Sequence, residues 1–82
     1  MFSINKWTLK GNILNVIERH KGFLVTVNGV AKNPSLFSSD TLRIDCWVPK
    51  RLVIKLPRKE LNAIGRFVFK KQDCYFVADK LI

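Results

Sequence analysis

Five segments of alternating apolar and polar residues, one short stretch with helix signals between the third and fourth, and a length of 82 residues predict an all-β domain. That order of elements is the order of a five-stranded OB-fold barrel, a small Greek-key barrel with one short helix between strands 3 and 4. Residues 1–82 form a single domain, because a chain this short holds only one small core. A winged helix needs more helices than the sequence offers, and an SH3-like barrel has no helix of this length in that place.

The first strand runs from about Lys6 to Ile17. Trp7, Leu9 and Ile13 share one face, and Lys6, Thr8, Lys10 and Asn12 share the other. Gly11 takes the place of an apolar side chain, where a barrel strand must bend and a residue without Cβ permits a bend or a bulge. The charged turn ERHKG leads into 23-FLVTVNGVA-31, so the first two strands form a hairpin. The stretch 32-KNPSLFSSD-40 reads as a loop.

In the third strand, 41-TLRIDCWVP-49, Leu42, Ile44, Cys46 and Val48 oppose Arg43, Asp45 and Trp47, and Pro49 ends the strand or sets it at an edge. The stretch 51-RLVIKL-56 reads as a strand continuing after a bend. Pro57 then opens a helix of about two turns over 58-RKELNAIG-65, with Gly65 at its end. The last two strands, 66-RFVFKK-71 and 74-CYFVADKLI-82, meet at a turn around Gln72 and Asp73. Trp7, Phe23 and Phe76 are expected in the core, with one or both of Phe67 and Phe69.

Fifteen Lys and Arg against six Asp and Glu give a net charge of +9, with a pI near 10.1. For one small domain that balance points to a polyanionic partner, nucleic acid first and an anionic membrane surface second. A merely basic or ribosome-associated protein is the alternative. The cations are spread from Lys6 to Lys80, so folding must bring them together. A hydrophobic content of 48% and a mean hydropathy of +0.04 argue against disorder. No apolar run approaches the roughly 18–20 residues of a membrane span, and the N-terminus lacks the apolar core of a secretory signal, so the cytoplasm is the expected location.

Cys46 and Cys74 are too far apart for zinc-finger spacing, and both are expected to be small buried hydrophobes. His20 stands alone in a turn and reads as a surface residue. The sequence has no Gly-rich phosphate loop, no nucleophile with a base, and no paired carboxylates. The expectation is therefore a non-enzymatic protein with no cofactor and no metal.

Single strands of nucleic acid are held by cations along a groove and by aromatic faces on which bases stack. Trp47, on the polar side of its strand, is the first stacking candidate; the alternative is that it caps the barrel or fills a dimer interface. Arg43, Lys50 and Arg51 flank it in sequence. Lys6, Thr8, Lys10 and Asn12 are candidates for phosphate and base-edge contact, or simply a solvated face. Lys70 and Lys71 could clamp a strand leaving the groove, Tyr75 is a second stacking candidate, and Phe37 could reach over the groove, plug the core or contact another copy. Arg58, Lys59 and Glu60 read as ordinary surface charge.

The opening pattern Asn5-Lys6-x-x-Leu9-x-Gly11-Asn12-Ile13 resembles the first strand of bacterial single-stranded DNA-binding proteins. The closing 77-VADKLI-82 is similar to that family's last strand, 43-RIDCWVPK-50 looks like its third strand, and Gly65 before Phe67 and Phe69 looks like the Gly preceding its fourth. The resemblance covers nearly the whole chain and is most specific at the opening strand. It implies an OB-fold and sequence-tolerant binding of single-stranded DNA in replication, recombination or repair. It also implies a homodimer or homotetramer and a base-stacking aromatic at Trp47. The family's long hairpin between strands 4 and 5 is short here, and its acidic tail does not follow Ile82, so replication or recombination proteins would be engaged by another route. RNA in place of DNA stays open, as does a structural or adaptor OB module binding folded RNA or a protein on the ribosome or primosome. A membrane role is disfavoured, because no amphipathic helix with a wide apolar face is visible.

Overall fold

The computed structural model describes residues 6–33, 41–52, 55–56 and 59–82. Within them the chain forms five strands: β1 (Trp7–Glu18), β2 (Gly22–Lys32), β3 (Leu42–Pro49), β4 (Glu60–Lys70) and β5 (Asp73–Leu81). They close into a barrel in the order β1-β2-β3-β5-β4, with β4 returning to β1. Neighbours are antiparallel except β3 and β5, which touch in parallel at Cys46–Phe76 and Trp47–Val77. This is the OB-fold.

The alternation read from the sequence sets the interior. Leu9, Val25, Val27, Cys46, Val48, Leu61, Ala63, Phe76 and Ala78 are fully buried. Trp7, Phe67 and Phe76 form an edge-to-face ladder, with ring centroids 5.2 and 5.3 Å apart. Burying Phe76 alone contributes about 1.5–3 kcal/mol. Leu42 follows the same alternation as Ile44 but sits at the start of β3 opposite Gly29, and it is half exposed.

Gly11 marks a close approach between β1 and β2. It pairs with Gly29 on β2 and with Leu61 on β4. A Cβ on Gly11 would stand 2.5 Å from the Gly29 Cα and 2.7 Å from Val27 Cγ1. The irregularity in register comes three residues later: Leu14 is an extra residue between the pairs Ile13–Val27 and Asn15–Thr26. The bulge shifts the phase of β1 by one residue, so Val16 pairs with Val25, yet Leu14, Val16 and Ile17 all stay exposed.

The helix expected over 58–65 does not form. Glu60–Gly65 belongs to β4, which begins well before the expected start at Arg66 and pairs with β1 from Asn12–Glu60 to Trp7–Gly65. Good local helix formers yield here to a non-local demand, because β1 needs a partner on its second edge for the barrel to close. Leu61, Ala63 and Gly65 turn inward with period two, the pattern of a strand. Among the described residues the helical element between β3 and β4 is a 3-10 turn, Lys50–Leu52, where the sequence suggested a continuing strand from Arg51.

The β4–β5 hairpin turns at Lys71–Gln72, one residue earlier than expected, with Lys70 opposite Asp73. Its tip runs past the end of the core. Phe69 and Cys74 face each other there and both are exposed, so Phe67 alone of its pair is in the core and Cys74 is not the buried hydrophobe expected. Cys46 is buried. Desolvation pushes its thiol up to about 12, against the opposing pull of a hydrogen bond from the Ala78 backbone.

Gly11→Ala should destabilise the fold by about 2 kcal/mol or more, because backbone must move to admit the methyl group. Thermal unfolding should show Tm lower by roughly 10 °C; an unchanged Tm would contradict the packing described. In the native protein near neutral pH, Cys74 should react promptly with a thiol reagent and Cys46 only after unfolding. Unfolded Cys46 ionises near 9.0 while the folded thiol keeps its proton to about 12, so denaturation midpoints should fall as pH rises through that window.

Candidate nucleic-acid interface

Trp47 leaves β3 on the outside of the barrel, between the buried Cys46 and Val48. Across the sheet it lies beside Leu24 on β2 and Val77 on β5. Its indole leans over Gly22, where a Cβ would come within 2.7 Å of Cζ2. Glycine at that position leaves the ring room to lie against β2. Tyr75, two residues before Val77, shares this outer side. Arg19 is brought in by the β1–β2 turn, where its backbone N–H donates to the Gly22 carbonyl at 2.7 Å. Trp47, Tyr75, Leu24, Val77 and Arg19 line an open cleft of about 360 Å³. It has two aromatic rings, an aliphatic floor and a cation at the rim.

A second concavity lies further along the same side of the sheet. Thr8, Lys10 and Asn12 on β1 stand opposite Lys32, Val30 and Asn28 on β2. With Thr41 and Glu60 they line a trough of about 830 Å³. An adjoining hollow of about 360 Å³ shares Thr8 and Lys32 and adds Lys6, Asn33 and Ile64. Three lysines, Lys6, Lys10 and Lys32, therefore gather around one polar channel, with Glu60 as the acid on its wall.

The surface between cleft and trough is continuous. Down β2 and β3 the outward pairs run Leu24–Trp47, Thr26–Asp45 and Asn28–Arg43. Thr26 Oγ1 donates to Asp45 Oδ1 at 3.2 Å. From Leu24 to Lys32 this face spans about 25 Å at strand rise. It presents aromatic rings at one end, lysines at the other, and Arg43 between them.

The structure thus brings Trp47, Tyr75, Arg43, Lys6, Lys10, Thr8 and Asn12 onto the outer side of β1, β2, β3 and β5, whereas Lys50, Arg51, Lys70 and Lys71 line none of the three concavities described. Lys50 pairs with Glu18 at 3.0 Å, lies 5.8 Å over the Phe23 ring, and donates its backbone N–H to Lys21 at the β1–β2 turn. Arg51 is exposed in the 3-10 turn. Lys70 and Lys71 lie at the tip of the β4–β5 hairpin. Lys71 holds a left-handed φ of 57°, which costs an ordinary residue about 1–2 kcal/mol. Phe37 lies outside the described residues, as does Arg58. Lys59 and Glu60, expected on a helix surface, instead lead into and open β4; the Lys59 carbonyl accepts from Ile13 N–H at 2.8 Å.

Arg19, Leu24, Val77, Lys32 and Asn28 complete the face, and sequence reasoning did not single them out. Their place follows from register, which pairs residues far apart in the chain. A cationic residue or β-branched neighbour on the outward phase of β2 was the available signal: Lys32 shares its phase with Leu24 and Thr26.

Among the described residues no group of three or more His, Cys, Asp and Glu could hold a metal ion. Among the described residues no helix is long and apolar enough to cross a membrane. No protein-family model matches the chain, and the comparisons with curated proteins and with solved structures likewise returned no significant match.

Proposed function

We propose that this protein binds single-stranded DNA with little sequence preference, and serves where single strands are exposed in replication, recombination or repair. The observation that carries this reading is the meeting of Trp47 and Tyr75 in one open cleft, on the same face as Lys10 and Lys32. Bases stack on the rings over Leu24 and Val77, and phosphates follow the lysines of the trough. Stacking tolerates any base, because every base has a π-face. The phosphate contacts supply affinity that weakens with salt. The net charge of +9 draws the polyanion in from a distance.

Leu14, Val16 and Ile17 support the further reading that the protein works as a dimer or tetramer. They are exposed apolar residues on the half of β1 that has β2 as its strand partner and lies beyond its pairing with β4. A molecular mass measured in solution should exceed that of one chain, and a monomer at working concentration would remove this part of the proposal.

Titration with oligo-dT should quench tryptophan emission. Trp47→Ala should weaken binding about 5–100-fold, the loss of one stacked base, while Trp7→Phe, in the core ladder, should bind as the parent does. The logarithm of affinity should fall linearly with the logarithm of salt, and Lys10→Gln or Lys32→Gln should each lower that slope by about 0.7. Absence of oligo-dT binding at low salt would sink the proposal. Preference for folded RNA over the plain strand, with Trp47→Ala indifferent, would favour a structural or adaptor module.

A further inference from the structure

Asp45 is out of place on a cationic face. It is exposed in the middle of the β2–β3 surface, and no ion pair involves it among the described residues. Arg43 and Trp47 lie on either side of it along β3, about 7 Å away in each direction. Thr26 occupies Oδ1 with a single hydrogen bond, and the carboxylate has further lone pairs to offer. The parallel register that sets Trp47 beside Val77 puts Asp45 level with Tyr75. Asp45 lies just outside the cleft lined by Leu24, Val77, Trp47 and Tyr75, two residues from Trp47, so a base seated there with an edge toward the middle of the face would bring that edge near Asp45.

An ionised carboxylate repels phosphate and can only accept hydrogen bonds. It gives nothing to the backbone of the strand. Toward bases it discriminates. Cytosine offers an N4 amino donor and adenine an N6 amino donor, whereas thymine places the O4 acceptor at the corresponding position. Thymine's one donor, N3–H, stands between two carbonyl acceptors that repel a carboxylate.

Resting on the single-strand reading above, we infer that Asp45 is a specificity-determining residue: it makes the Trp47 cleft favour a base with an exocyclic amino group, such as cytosine, over thymine. The preference is laid over sequence-tolerant backbone binding and acts at one subsite. Asp45 also keeps phosphates off the middle of the face, so that bases turn inward there and the backbone runs along the lysine side.

The test compares affinities for oligo-dC and oligo-dT of equal length, at one salt concentration, in the parent protein and in Asp45→Asn. The dC-to-dT ratio within each protein cancels the phosphate contribution, which the charge change alters equally for both strands. Asparagine keeps an acceptor for Thr26 and adds an amide donor that suits thymine O4. The parent should favour oligo-dC by about fivefold or more, the effect of one charge-assisted hydrogen bond, and Asp45→Asn should bring the ratio to near one or reverse it. Equal affinity of the parent for the two oligomers, or an unchanged ratio in Asp45→Asn, overturns the inference and leaves single-strand binding standing. Binding to neither oligomer overturns both.

Discussion

Strand β1 serves two partners at once, hydrogen-bonding to β2 along one edge and, through its first half, to β4 along the other. The barrel exists only because both edges are satisfied. At the crossing, Gly11 and Gly29 meet with no side chain between them, and a methyl group on either would overlap backbone. That close approach draws β1 and β2 together on the inside. On the outside the same curvature hollows the surface between Lys10, Asn12, Asn28 and Val30, which becomes the polar trough. The contact that closes the fold therefore shapes one half of the proposed binding face. Gly22 does the corresponding work for the other half, leaving room for the Trp47 indole against β2.

Charge is sorted by the same geometry. Two of the acidic residues sit in exposed ion pairs away from the trough, Glu18 with Lys50 and Asp79 with Arg66. Exposed pairs of this kind contribute little to stability. Their consequence is local: they lower the positive potential at the β1–β2 turn and on the β4–β5 surface. Lys6, Lys10 and Lys32 keep theirs around the channel. A cationic excess spread along the sequence becomes, in three dimensions, a face with a direction.

Much of this was legible in the residues, because alternation reports which side of a strand a side chain takes. It placed Trp47 outside and Cys46 and Val48 inside, and it put Lys6, Thr8, Lys10 and Asn12 on one side together. Two things stayed hidden. Local helix signals in Glu60–Gly65 speak of the isolated segment, whereas the strand forms to satisfy an edge, Trp7 to Asn12, that lies far earlier in the chain. Register and element length were hidden as well. Phe69 and Cys74 have the phase of core residues but lie past the end of the barrel, so they are exposed. Arg19 and Lys32 join the face through cross-strand neighbours that no spacing within one strand reveals.

The central claim is that one side of the sheet, from Trp47 to Lys10, receives a single strand. Backbone and indole amide spectra of the labelled protein, recorded as a short oligo-dT is added, read that surface residue by residue. The account predicts shifts at the Trp47 indole, Tyr75, Leu24, Arg43 and Lys10. Shifts that spare all five of these residues, or a spectrum the strand leaves unchanged, would contradict it.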